Sequence, residues 1–284
     1  MSKVKATVHG AISLVNAIAV GKGATLGIDP KVQVIMEAVE GSGINIRSDS
    51  QSISSRLISK TIEKVISKKQ FSKHKLTLSL NSEIPTGFGL KSSSAISSAV
   101  ALATAKLFKQ KINDSKILLA GVDASIETKV SLTGAYDDAC ACYYGGFMVT
   151  DNYKRKIIRS KKAPTNLKVV IFVPKSRKRG NIRKLKTLRP IFERAWNFAK
   201  NCDYWNAMIL NGFATSSILG SDPKLITSLV EKGAIGASIS GNGPSVAAVT
   251  KQSNISAIKK VFSSLEGNVT ITQINNKRSE VHEL

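Results

Sequence analysis

The chain has 284 residues, 42% of them apolar, with 42 Lys and Arg against 19 Asp and Glu and a formal net charge of +23. That length and apolar content fit one or two domains with ample core and exclude a disordered chain. Three cysteines, Cys140, Cys142 and Cys202, make neither a metal-ligand set nor a disulfide framework; Cys140 and Cys142 are too close for an ordinary bridge, so a reducing cytoplasm is the expected compartment.

Lys3 and Lys5 precede an apolar run over 11–20, a faint likeness to a signal peptide. His9 and Gly10 interrupt the join, Asn16 lies inside the run, and a turn follows at 21–23, so residues 4–20 read as strand with a turn at His9-Gly10. A strand is expected over 32–38, a turn over 41–43 and a short strand over 44–47. Ile53, Leu57, Ile58, Ile62, Val65 and Ile66 recur at helical spacing and predict a helix over 53–69. Leu76, Leu78 and Leu80 alternate with polar residues as in a half-buried strand over 75–80. A Pro/Gly loop then leads to a helix over 92–108. Asn113-Asp114-Ser115 caps a helix over 116–127, residues 133–146 are loop and helix start, and Gly145-Gly146 releases a strand over 147–150. No apolar run is long enough to cross a membrane.

The composition shifts near Asp151, which divides the chain into residues 1–150 and 151–284. Residues 1–150 carry 18 Lys/Arg against 11 Asp/Glu, and residues 151–284 carry 24 against 8. Within 151–190, 15 basic residues meet one acid, Asp151. Such a charge attracts nucleic acid or anionic substrates alike. The only aromatics there are Tyr153 and Phe172, too few to stack the bases of a single strand, so no specific nucleic acid is expected. A buried strand is expected over 169–173, a basic loop or short helix over 175–189, and helices over 190–200 and 203–217. Pro223 stands at the favoured first position of another helix. A strand over 234–240, a turn at 241–244, a strand over 245–250, a helix over 254–265, a strand over 269–274 and a polar tail complete the chain. The alternation predicts a two-layer α+β sandwich.

The stretch from Pro85 to Ala95 carries the clearest chemistry. Glycines let a backbone approach a ligand closely, and a helix start offers unpaired amides and a positive dipole end. Serines there cap the helix, bind phosphate oxygen or ligate Mg²⁺. It is not a Walker A loop, because Lys91 and Ser92 follow Leu90 and not glycine. A second stretch reads Thr133-Gly134-Ala135-Tyr136-Asp137-Asp138 and ends in Gly145-Gly146. A third, over 236–245, contains Ser240-Gly241-Asn242-Gly243-Pro244.

In this order and at these separations the three stretches resemble the GHMP small-molecule kinases, over nearly the whole chain. Gly89-Leu90-Lys91-Ser92-Ser93-Ser94-Ala95 looks like the archaeal shikimate kinase branch, in which Lys91 stands where other members carry glycine. Residues 6–11, 16–19, 21–24 and 133–139 look like that branch too. The resemblance implies an α+β GHMP kinase fold, with an N-terminal ribosomal-S5-like ATP-binding domain over 1–150 and a C-terminal ferredoxin-like domain over 151–284. It implies ATP and Mg²⁺ as cofactors and shikimate as the substrate, phosphorylated on its 3-hydroxyl, with homoserine or mevalonate kinase activity or a basic nucleic-acid-binding protein as alternatives. A monomer or homodimer acting off the membrane is expected.

By the same resemblance Pro85, Thr86, Gly87, Phe88, Gly89, Leu90, Lys91, Ser92, Ser93, Ser94 and Ala95, with Gly241 and Gly243, would hold the nucleotide. Ser93 and Glu127 would ligate Mg²⁺. Asp138 would accept the hydroxyl proton, with Asp137 as the other candidate base. The lysine that several members carry in the first strand is absent from residues 6–9; Lys91 or Lys22 would supply its charge, and His9 is a candidate substrate ligand. Arg177, Arg179 and Arg183 are the candidates for pairing with the substrate carboxylate.

Overall fold

The computed structural model describes residues 3–48 and 53–284. Strands β1 (Lys3–Val15) and β2 (Lys22–Glu40) come first, then β3 (Gly43–Ser48), helices α1 (Ser55–Val65) and α2 (Lys68–Ser72), and β4 (His74–Ser82). The single helix expected over 53–69 is two, because Ser67 starts a new one: its Oγ accepts from the Gln70 amide while the Gln70 side chain returns to the Ser67 amide. α3 (Ser92–Leu107), α4 (Asp114–Glu127) and α5 (Tyr136–Tyr144) follow, and then the hairpin β5 (Phe147–Asp151) and β6 (Lys156–Lys161). After β7 (Leu167–Pro174), a 3-10 helix over Ile182–Leu188 runs into α6 (Arg189–Lys200), α7 (Tyr204–Leu219) and α8 (Pro223–Glu231). The chain ends with β8 (Ala234–Ile239), β9 (Val246–Lys251), α9 (Ile255–Phe262), β10 (Gly267–Gln273) and β11 (Glu280–Glu283).

Two sheets result. The first has seven strands in the order β11-β1-β2-β4-β3, with β5 on the other half of β2 and β6 beyond it. The second has four antiparallel strands, β10-β7-β9-β8. Besides β1, β2 serves two partners in turn: residues 22–26 pair with β5 and residues 32–40 with β4. The change falls at Asp29-Pro30, where pairing with β1 steps from His9–Lys31 to Gly10–Ile28. Pro30 has no N–H for a ladder and tolerates the break. The turn expected at His9-Gly10 is therefore a bulge in the partner strand, and β1 runs straight through it.

α3 explains how the first half positions the site. Thirteen of its 16 residues are buried, nearly all Ala, Ser, Ile, Leu, Val or Thr. A helix apolar all round belongs inside, and α3 packs among β1, β2, α1 and α4. Its N-terminus opens at the rim of the first sheet, where the second half of the chain closes over it. Among the described residues, no helix is long and apolar enough to cross a membrane.

The expected division between residues 150 and 151 falls inside β5. The first sheet continues through β6, and it takes back β11, which pairs with Val4–Thr7 of β1. The segment between β10 and β11 is tied down by Asn275: its amide donates to the Gly27 carbonyl at 3.0 Å and its carbonyl accepts from the Gly146 amide at 2.7 Å. Its side chain closes a turn on the Lys277 amide and carbonyl, at 2.9 Å each. Asn275 is 3% exposed, so Asn275→Ala is expected to lose about 1–3 kcal/mol, read as a lower urea midpoint with unchanged denaturant dependence.

Candidate active site

The loop from 83 to 91 delivers the start of α3 by alternating its residues. Ile84 and Leu90 are buried anchors, while Gly87, Gly89 and Lys91 face a cleft of about 210 Å³. Phe88 turns outward and carries the Arg177 guanidinium, 5.1 Å from its ring centroid. Gly89 sits at φ +83°, and a Cβ there would lie 2.0 Å from the Ser240 carbonyl oxygen, so no other residue fits. No side chain caps α3. Ser92, Ser93 and Ser94 line the cleft around its first turn, an anion site by both dipole and free backbone donors.

Opposite the loop stands a knot of buried polar groups from both halves. Ser240 Oγ donates to the Gly89 carbonyl at 2.8 Å and accepts from the Ser13 amide at 3.2 Å. Ser13 Oγ accepts from the Gly241 amide at 3.0 Å and from Lys91 Nζ at 2.7 Å. Asn16 Nδ2 donates to the Gly241 carbonyl at 2.7 Å, and the Asn16 amide donates to Asn211 Oδ1 of α7 at 2.8 Å. Lys91 adopts φ +66°, a left-handed conformation that costs a non-glycine residue roughly 1–2 kcal/mol.

Asp137 and Asp138 occupy the first turn of α5, where carboxylates suit the helix dipole. Their environments differ. Asp137 is 3% exposed; its Oδ1 accepts from Asn152 Nδ2 at 2.7 Å, and its amide donates to Asn152 Oδ1 at 3.2 Å. A Cβ on Gly23 would lie 2.2 Å from Asp137 Oδ2, so β2 leaves the carboxyl its space by omission. Burial, with Asp138 beside it, pushes the Asp137 carboxyl well up from the ordinary carboxylate range, to about 7, against the pull of Lys91 and the Asn152 bond. Asp138 instead pairs with Lys91 Nζ, 2.9 Å from its Oδ1.

A family model described as the GHMP kinases N terminal domain matches residues 56–146. Shikimate kinase of Methanosarcina acetivorans is 37% identical over 280 residues, which span 96% of this chain and 94% of that protein. The chain belongs to the GHMP kinases, in the archaeal shikimate kinase branch. Shikimate kinase of Methanosarcina mazei is 36% identical over 278 residues, 95% of this chain and 94% of its own. The crystal structure of Methanococcus jannaschii mevalonate kinase superposes with a TM-score of 0.77 over 96% of this chain and 98% of that one, at 14% identity. That similarity shows the GHMP fold, to which both sheets belong.

Against the residues that membership in the GHMP kinases suggests, the cleft is selective. Gly87, Gly89, Lys91, Ser92, Ser93, Ser94, Asp137, Asp138 and Gly241 line it. Pro85, Thr86, Phe88, Leu90, Ala95 and Gly243 do not; Gly243 touches it through Arg179, whose Nη1 donates to the Gly243 carbonyl at 3.3 Å. Glu127 is not brought to the cleft: its half-exposed carboxylate pairs with Lys64 of α1, and Ser125, two residues earlier on α4, lines the cleft instead. Lys22 lies over the Trp196 ring, 4.9 Å from its centroid. His9 Nδ1 meets the Asp29 carbonyl oxygen at 2.7 Å and braces the bulge. Of the three arginines only Arg179 lines the cleft. Ser13, Asn152 and Asn211 carry no motif signal, since they act through pairings distant in sequence, and Asn16 stands in the 16–19 stretch without a role being legible there.

The raised Asp137 carboxyl makes stability depend on pH. Between about pH 4 and 7 the unfolded chain has lost this proton while the folded chain still holds it, so stability falls as pH rises through that window. Asp137→Asn keeps the shape without the charge. Its melting temperature is expected to equal the wild type's near pH 4 and to exceed it at pH 8, as read by calorimetry at both values.

Proposed function

We propose that this chain transfers the γ-phosphoryl group of ATP to the 3-hydroxyl of shikimate. The observation that carries the reading is the single cleft in which Asp138 faces the uncapped start of α3, so that a proton acceptor and a triphosphate site share one small space. The acceptor follows from relatives named shikimate kinase along almost the whole chain; the similarity to mevalonate and homoserine kinases rests on 14% and 19% identity and concerns the fold.

Phosphoryl transfer needs alignment and charge neutralisation more than covalent help. The amides and serines at the start of α3 hold the triphosphate. The 3-hydroxyl oxygen attacks the γ-phosphorus as its proton passes to Asp138; the new O–P bond forms while the bond to the bridging oxygen breaks, its electron pair leaving with ADP. Arg179 has one Nη1 contact to Gly243 and further N–H groups for the shikimate carboxylate.

Ser93 would help to hold Mg²⁺, which would supply charge neutralisation for the phosphates. Among the described residues no three acidic, His or Cys side chains gather to hold a metal. A Mg²⁺ that keeps waters and phosphate oxygens needs only one or two protein oxygens, and the half-buried Ser93 hydroxyl in the cleft fits that demand.

A panel of acceptor alcohols with coupled ADP detection tests the reading. Shikimate is expected to give turnover and homoserine and mevalonate none; ADP release on either of those and not on shikimate refutes it. Arg179→Met should raise KM for shikimate roughly tenfold or more while KM for ATP stays put. Asp138→Asn should lower kcat by about 10²–10⁴ with ATP affinity near normal. Near-normal turnover in Asp138→Asn, with loss in Asp137→Asn, transfers the role to Asp137.

A further inference from the structure

Lys91 belongs by position to the nucleotide loop, but its side chain leaves that loop. Residues 92–94 line the cleft at the α3 N-terminus, whereas the Lys91 side chain is only 5% exposed. Its ammonium lies between Ser13 Oγ, at 2.7 Å, and Asp138 Oδ1, at 2.9 Å. A Cβ on Gly241 would fall 2.8 Å from Nζ, so the third turn also leaves space for this one group. A lysine amine driven into so enclosed a slot needs charge-bearing partners, and it has found one.

The decisive detail is on Asp138. Its Oδ1 is buried and has no hydrogen bond; the Lys91 ammonium is its close polar partner, off the hydrogen-bonding direction. The carboxylate as a whole keeps 15% of its side-chain surface, which leaves Oδ2 as the oxygen able to meet a hydroxyl in the cleft. Ser13 ties the ammonium to β1 by a hydrogen bond, and the charge partner it takes is the carboxylate that lines the cleft. We propose that Lys91 is the positioning residue of the catalytic carboxylate: it fixes Oδ1 by charge and turns Oδ2 toward the acceptor hydroxyl. Lys91 is thereby not a phosphate ligand. This deepens the functional reading above and rests on it.

The other titratable groups near the ammonium are Asp137 and Cys142 of α5, which both feel its charge, and Arg179 on the cleft wall. The test exploits the backbone. At φ +66° glycine is more at ease than lysine, so Lys91→Gly deletes the ammonium without straining the chain. Its melting temperature should be no lower than the wild type's by more than a few degrees, and its affinity for MgATP, measured by calorimetry, should stay within about threefold. Its kcat should fall roughly 100-fold or more, as for loss of an effective general base. The acidic limb of its kcat–pH profile should move toward higher pH, because a carboxyl pair deprived of its cation holds protons more tightly.

A Lys91→Gly enzyme that keeps kcat within about threefold of an active wild type overturns the proposal. So does a kcat loss accompanied by a tenfold or greater loss of MgATP affinity, which makes Lys91 a phosphate ligand. An unshifted pH profile reduces it to a structural tie and overturns it as well. A wild-type enzyme silent on shikimate refutes the functional reading itself, and Lys91 is then judged on whichever acceptor the panel finds active.

Discussion

The Ser240 hydroxyl is the point on which the cleft depends. It is fully buried, gives its proton to the Gly89 carbonyl and takes one from the Ser13 amide. One oxygen thus joins the loop before α3, the first strand and the turn after β8. Such a network is stiff because each unmade bond would strand a buried polar group, at about 1–3 kcal/mol apiece. The close approach permitted by Gly89 sets where the loop passes, and that sets the direction in which α3 begins. Lys91 then has little choice of backbone conformation, and its side chain is delivered toward Asp138. The geometry of the site therefore descends from backbone packing between the two sheets more than from any one catalytic side chain.

Two carboxyl groups on adjacent residues of one helical turn end with opposite surroundings. Asp137 is drawn into the seam between β2 and β5, where Asn152 meets both its side chain and its amide and Thr150 in turn donates to Asn152 Oδ1 at 2.7 Å. Asp138 is turned to the cleft and given a cation. Environments that push two neighbouring acids apart in this way are how one site separates structural from chemical duties. Burial alone would make Asp137 the more perturbed group, but perturbation is not access: Asp137 spends its acceptor on Asn152.

Much of this was legible in the chain. The bounds of α3 followed from the Pro/Gly loop before it and those of α4, to within two residues, from the Asn113-Asp114-Ser115 cap, and the three glycine-bearing stretches do meet at one cleft. Local pattern failed where partners decide. β6, with the sequence KIIRSK, was given no element by its pattern, yet it pairs with β5. The strand expected over 32–38 is only the second part of β2, and its first part joins it across Asp29-Pro30 through the pairing with β1. Glu127 had suitable spacing on α4, but spacing does not say which face of a helix meets the cleft, and Lys64 on α1 claims the carboxylate. Lys91 was legible as an oddity among glycines and serines; its contact with Asp138 was not, since it joins residues 47 apart.

The return of β11 to β1 has a consequence for biosynthesis. β1 is synthesised well before the strand that covers Val4–Thr7, which is made after the whole second sheet. At ordinary elongation rates the delay is on the order of tens of seconds. Throughout it, the outer ladder of β1 is a bare edge, the kind of surface that recruits a stray strand or a holding chaperone. Completion of the first sheet thus waits on synthesis of the whole second sheet, and a nascent chain stalled before residue 280 keeps the outer ladder of β1 bare.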